Sequence, residues 1–143
     1  MSNDIQEIQH LAQIYADGVM QRDAEIWGNT FAADGEWHLA PGMDPVKGRE
    51  NLKAFWLNVM AGYPNVLHWV QPGIIRVDGD SATARFYVQE NIKDAEGNGF
   101  RVAGVYNDEL VKEDGAWKFA VRRFSTMYRG PVDMSGDWIG YPA

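Results

Sequence analysis

The hydrophobic period of this chain changes near its middle, and few folds accommodate that change. Up to residue 60, apolar residues recur three and four positions apart: Ile5, Ile8, Leu11, Ala12 and Tyr15, later Leu52, Phe55, Trp56, Val59 and Met60. The first set predicts a helix from a capping box at Asn3 and Gln6 to about Gln21. Asp23 then caps a short second helix through Ile26, Trp27, Thr30 and Phe31, ended by the Asp34-Gly35 turn. A short strand follows at Glu36 to Leu39, and a third helix spans Gly48 to Met60. Beyond it the period shortens. Val66 to Val77, Ser81 to Ile92, Phe100 to Lys112 and Trp117 to Tyr128 read as strands rich in β-branched and aromatic residues. Short Gly-containing links at Asp78-Gly79-Asp80, Asp94 to Gly99 and Glu113-Asp114-Gly115 make consecutive strands antiparallel hairpins. Helices first and an antiparallel sheet second define an α+β fold, and strands this long bend, with Pro72-Gly73 a natural bulge. A bent sheet leaves a hollow. The tail after Arg129 lacks any period and is a candidate cover for that hollow or for an interface.

The 143 residues suit one domain, read here as 1–143, large enough to bury a core without crosslinks. Six Trp, six Tyr and six Phe exceed what one small core needs, which predicts an aromatic-lined pocket or a buried subunit contact. A net charge of −7 argues against nucleic acid and anionic membranes as partners. No stretch approaches the roughly 20 apolar residues of a membrane span. With no cysteine there is neither a disulfide framework nor a thiolate nucleophile, which fits a reducing cytoplasm. His10, His38 and His68 are isolated, without the pairing of a metal site, and Gly97 and Gly99 lie in a hairpin rather than a phosphate loop. No metal or other cofactor is implied. The run from Phe100 to Lys112 is apolar on both strand phases, which predicts cover on both faces of the sheet through a homodimer or homotrimer.

Several local signatures carry a family resemblance: Ile8-Gln9 opening the first helix, Tyr15-Ala16-Asp17 to Arg22-Asp23, and Phe31-Ala32-Ala33-Asp34-Gly35-Glu36-Trp37. Lys47-Gly48-Arg49-Glu50 and Asp114-Gly115-Ala116-Trp117-Lys118-Phe119 complete the set. In order and spacing they resemble the SnoaL-like group of the NTF2-like superfamily. The resemblance implies a cystatin-like cone, three helices packed on a strongly curved sheet around a pocket for a small cyclic or aromatic ligand. Within the group the chain is most similar to scytalone dehydratase, hexachlorocyclohexane dehydrochlorinase and bile-acid 7α-dehydratase. By that likeness His68, in Val66-Leu67-His68-Trp69, is the base, Tyr15 a hydroxyl donor and Arg122 a holder of an anionic group.

One position departs from the pattern. Where those enzymes carry an Asp that orients the His, this chain has Met20, and a thioether cannot balance an imidazolium. Asp17, one helical turn earlier, is the candidate substitute. Each residue also has an ordinary use: His68 as a hydrogen-bonded strand residue, Tyr15 as a core aromatic, Asp17 as a solvated surface acid, and Arg122 as the partner of Glu90 or Asp108 on a neighbouring strand.

The leading expectation is a cofactor-free lyase of the scytalone dehydratase type. His68 removes a proton α to a carbonyl while Tyr15 donates to the developing enolate oxygen. The alternatives are a ketosteroid-isomerase-like isomerase and, because of Met20, a non-catalytic binding or accessory subunit.

Overall fold

A computed structural model describes residues 3–139. Helix α1 spans Asp4–Gln21 and buries Ile8, Leu11, Ala12, Tyr15, Ala16 and Val19 along one side. The expected capping box is not formed: Asn3 makes no side-chain cap, and its carbonyl instead accepts from Glu7 N at 2.8 Å. At the other end Arg22 adopts the left-handed conformation (φ 56°), and its guanidinium donates to Met60 O (2.7 Å) and Tyr63 O (2.8 Å). Those bonds tie the end of α1 to the end of α3, which spans Arg49–Ala61.

Helix α2, Ala24–Gly28, is capped by Asp23 as expected, the carboxylate accepting from Glu25 N and Ile26 N. It is shorter than its periodicity suggested. Thr30 and Phe31 leave the helix because Thr30 O accepts from Phe119 N at 2.8 Å, a ladder bond that begins strand β1 at Phe31–His38. The Asp34-Gly35 pair therefore does not end α2. It forms an irregularity within β1, where the register with the last strand shifts between Phe31 and Glu36.

The remaining strands are β2 (Val46–Lys47), β3 (Asn65–Val70), β4 (Ile74–Asp78), β5 (Ser81–Lys93), β6 (Gly99–Glu113) and β7 (Ala116–Pro131). They form one open sheet in the order β2-β1-β7-β6-β5-β3, with β4 also on β5. The hairpin pairings β5–β6 and β6–β7 are antiparallel as expected, whereas β1 and β7, joined by a long connection rather than a hairpin, pair in parallel. The predicted run from Val66 to Val77 is two strands. Its break at Gln71 to Gly73 is held by Gln9 of α1, whose side chain accepts from Gly73 N (2.8 Å) and donates to Gly73 O (2.9 Å). A side chain at position 73 would fall 2.5 Å from the Phe86 ring.

The core lies between the helices and the concave side of the sheet. Trp27 stacks on Trp56 at 5.0 Å and 14°, and Phe31, Phe86, Leu110 and Phe119 are fully buried around them. This arrangement of helices on a curved sheet is the α+β fold expected. Residues 132–139 continue beyond β7 without regular structure and border a groove of about 770 Å³ with Leu67, Trp69, Asn91 and Arg101. The predicted tail from Arg129 therefore begins as the end of β7, and residues 140–143 lie outside the described part. Among the described residues no helix is long and apolar enough to cross a membrane.

Candidate active site

Between α1, α3 and the concave sheet face lies a cavity of about 340 Å³. Val19, Trp37, Trp56, Met60, Val102 and Phe124 supply apolar walls; Tyr15, His68, Glu90, Tyr106 and Arg129 supply polar groups. Strand alternation puts them there. On β3 the side chain of His68 points inward and those of Leu67 and Trp69 outward, and cross-strand pairing sets Glu90 of β5 opposite His68. The result is a contact between His68 Nδ1 and Glu90 Oε2 at 3.2 Å, with the imidazole only 3% exposed. An ionised carboxylate accepts only, so a proton on Nδ1 makes this bond, and the neutral imidazole of that tautomer carries its lone pair on Nε2.

The Tyr15 ring packs 5.6 Å from the His68 ring. Its hydroxyl lies 3.0 Å from that of Tyr106, whose oxygen accepts from Trp37 Nε1 at 3.2 Å. Either hydroxyl can donate in the Tyr15–Tyr106 bond; where Tyr106 donates, Tyr15 has its own proton for a third partner. Burial pushes the pKa of both phenols up, Tyr106 well above its ordinary value, while the Arg122 charge pulls each down. They remain protonated donors at neutral pH.

Arg122 sits beneath these tyrosines rather than in the cavity. Its guanidinium donates to both carboxylate oxygens of Asp108, at 2.8 and 3.0 Å, and is 1% exposed. Its Cζ lies 3.8 Å from the Tyr106 ring centre, 4.0 Å from that of Phe119 and 4.4 Å from that of Tyr15. Burial pushes the Asp108 carboxyl up and the guanidinium opposes this. Of the two acids weighed as partners for Arg122, Asp108 takes the arginine and Glu90 the histidine.

The structure therefore brings Tyr15 and His68 together and leaves two expected residues out. Asp17 is exposed on the outer side of α1 and does not line the cavity, so it cannot stand in for the missing helix carboxylate. Met20 borders the outer groove. Arg122 is buried in an ion pair with Asp108 and does not line the cavity. Glu90, Tyr106 and Trp37 were missed as site residues, although the alternation of β5 and β6 puts Glu90 and Tyr106 in the same phase as the buried Phe86 and Val102. His10 is exposed, and His38 pairs with Glu36 at 3.1 Å. Among the described residues no three His, Asp or Glu side chains are grouped to hold a metal ion.

Comparison with known proteins agrees with this architecture. The chain is 28% identical to a protein of unknown function from Mycobacterium tuberculosis, with a TM-score of 0.76 over 86% of this chain and 71% of that one. A candidate scytalone dehydratase of Novosphingobium aromaticivorans superposes with a TM-score of 0.82 at 22% identity, covering 92% of this chain and 89% of the other. A hexachlorocyclohexane dehydrochlorinase of Novosphingobium barchaimii gives 0.79 at 22% identity, over 96% and 93%. At these identities the two enzymes share the fold. No curated protein matches the chain. The model of the SnoaL-like domain matches residues 1–123, the stretch that builds α1 through the inward-facing start of β7, and the chain belongs to the SnoaL-like family.

Proposed function

We propose that this protein is a cofactor-free lyase that eliminates water, or HX, from a small cyclic or aromatic carbonyl compound. The observation that carries the reading is the His68–Glu90 contact inside an apolar cavity, 3.2 Å long and set beside the Tyr15 hydroxyl. Glu90 holds Nδ1 and balances the imidazolium, doing from the sheet what an Asp on the first helix was expected to do. His68 Nε2 removes the proton α to the carbonyl. The electron pair moves to the carbonyl oxygen, where the Tyr15 O–H donates to the enolate. As the enolate collapses, the β hydroxyl leaves with the proton returned by His68, so that an unsaturated carbonyl compound and water are formed. A halide leaves unprotonated, and His68 gives its proton to solvent. The largely apolar walls of the cavity strengthen each of these contacts. The candidate dehydratase and the dehydrochlorinase among the structural neighbours catalyse eliminations by name, which supports the reaction class.

The test is turnover of a panel of cyclic β-hydroxy ketones followed by mass spectrometry. Wild type is expected to release product, and His68→Ala to lose at least about a hundredfold in kcat with little change in affinity. Product retaining all its atoms with a moved double bond would make the chain an isomerase using the same base. Binding without turnover in both proteins would make it a carrier or accessory subunit.

The convex side of the sheet supports a homo-oligomer. Trp69, Gln89, Ala103 and Tyr128 form a cross-strand row there, and Trp69 is 50% and Tyr128 47% exposed.

A further inference from the structure

A second row crosses the concave side of the sheet. His68 on β3 pairs with Glu90 on β5, Glu90 with Val102 on β6, and Val102 with Arg129 on β7. All four side chains line the cavity. Neighbouring strands are about 4.8 Å apart, so Arg129 stands about 14 Å from His68 measured along the sheet, with Val102 as the floor between them. The two ends of the row differ in chemistry. At one end Glu90 is engaged by His68. At the other, the Arg129 guanidinium is laid over the Phe100 ring at 4.5 Å, and it forms no ion pair among the described residues.

Arg129 lines the cavity with its side chain exposed to solvent, in a chain of net charge −7, and no carboxylate among the described residues pairs with it, so it is placed to attract an anion that enters. We infer that the ligand of this cavity is an anion, a ring compound bearing a carboxylate, and that Arg129 is the residue that selects and orients it. This rests on the reading of the cavity as a substrate site and adds the substrate's charge to it. The orientation follows from Coulomb's law. Glu90 repels an anionic group and Arg129 attracts it, so the carboxylate takes the Arg129 end and the ring spans Val102. The opposite edge of the ring is thereby turned toward His68 Nε2 and the Tyr15 hydroxyl. Stacking on Phe100 holds the guanidinium plane at the cavity wall and leaves its N–H edge for bidentate recognition of a carboxylate. Arg122 cannot play this part, because it is 1% exposed, does not line the cavity and already pairs with Asp108 through Nε and Nη2.

The experiment is a titration of the whole chain with 2-naphthoate and with 2-naphthamide, which match in shape and differ in charge, read by quenching of the cavity tryptophans Trp37 and Trp56. Wild type is expected to bind the acid at least about tenfold more tightly than the amide, with a preference that weakens as salt is raised. Arg129→Gln removes the preference and leaves amide binding within about twofold, and Arg129→Lys keeps part of it, since a point charge attracts without the bidentate fit. His68→Ala keeps it, which separates charge selection from chemistry: loss of turnover in every protein with the preference intact would sink the lyase reading alone. Equal binding of acid and amide by wild type, a preference that survives in Arg129→Gln, or failure of both probes to bind overturns the inference.

Discussion

Replacing Glu90 by Gln keeps the shape of the dyad and removes its charge. We expect kcat to fall by about 10²-fold or more, by the logic of a histidine left in the wrong tautomer, while Met20→Ala, which borders the outer groove and does not line the cavity, leaves it unchanged. Steady-state kinetics of the two variants checks this. If Met20→Ala were the damaging one, the carboxylate would not be the orienter. Arg122 belongs to a different kind of test, because it is buried in an ion pair and does not line the cavity. Arg122→Met leaves Asp108 buried and unpaired, and chemical denaturation should report a loss of about 3–5 kcal/mol, partly restored in the double variant with Asp108→Asn. At this scale the sequence was legible where a residue's own strand or helix phase sufficed. His68 and Tyr15 point inward because their elements are amphipathic. Glu90 was not assigned to His68, since which two residues oppose each other depends on the β3–β5 register, and periodicity within one strand carries no register.

Helices α1 and α2 approach each other closely at Gly18. A Cβ on Gly18 would lie 2.7 Å from Trp27 N and 2.9 Å from Trp27 Cα, backbone atoms that cannot rotate away. Gly18→Ala should therefore destabilise the fold by about 1–3 kcal/mol in urea unfolding, an unusual sign for a substitution that raises helix propensity. An unchanged midpoint would show that the two helices separate freely. Most elements were visible from their periods, and the discrepancies occur where a bond from another element intervenes. Phe119 N draws Thr30 into β1, Gln9 breaks the predicted long strand at Gly73, and β2 exists only because Val46 and Lys47 pair with Trp37 and Glu36.

For the whole molecule, pH probes a clasp that joins distant parts of the chain. Glu113, at the end of β6, accepts from Ala33 N at 2.8 Å and from Arg49 Nη2 at 2.6 Å, and Arg49 also donates to Phe31 O. The Ala33 amide, followed by Arg49, holds the Glu113 carboxyl below its usual range despite partial burial. A carboxyl whose folded pKa is depressed contributes stability that is complete above its unfolded value, near 4.5, and lost as pH falls through the folded one. Glu113→Gln should accordingly flatten the acid side of the stability curve and leave its slope near neutrality unchanged, as thermal unfolding across pH would report. The exposed convex row with Trp69 and Tyr128 predicts an oligomer at micromolar concentration by light scattering, and a Trp69→Lys variant should shift it toward monomer. The sequence by itself determined the fold class, the order of the helices and long strands and the inward phase of His68 and Tyr15, because these follow from periods and turns local to the chain. Only the tertiary structure decided that Glu90 faces His68, that Asp108 occupies Arg122 and that Arg129 closes the row across the cavity. Each of these depends on strand register, which is set by how the whole sheet packs against its helices.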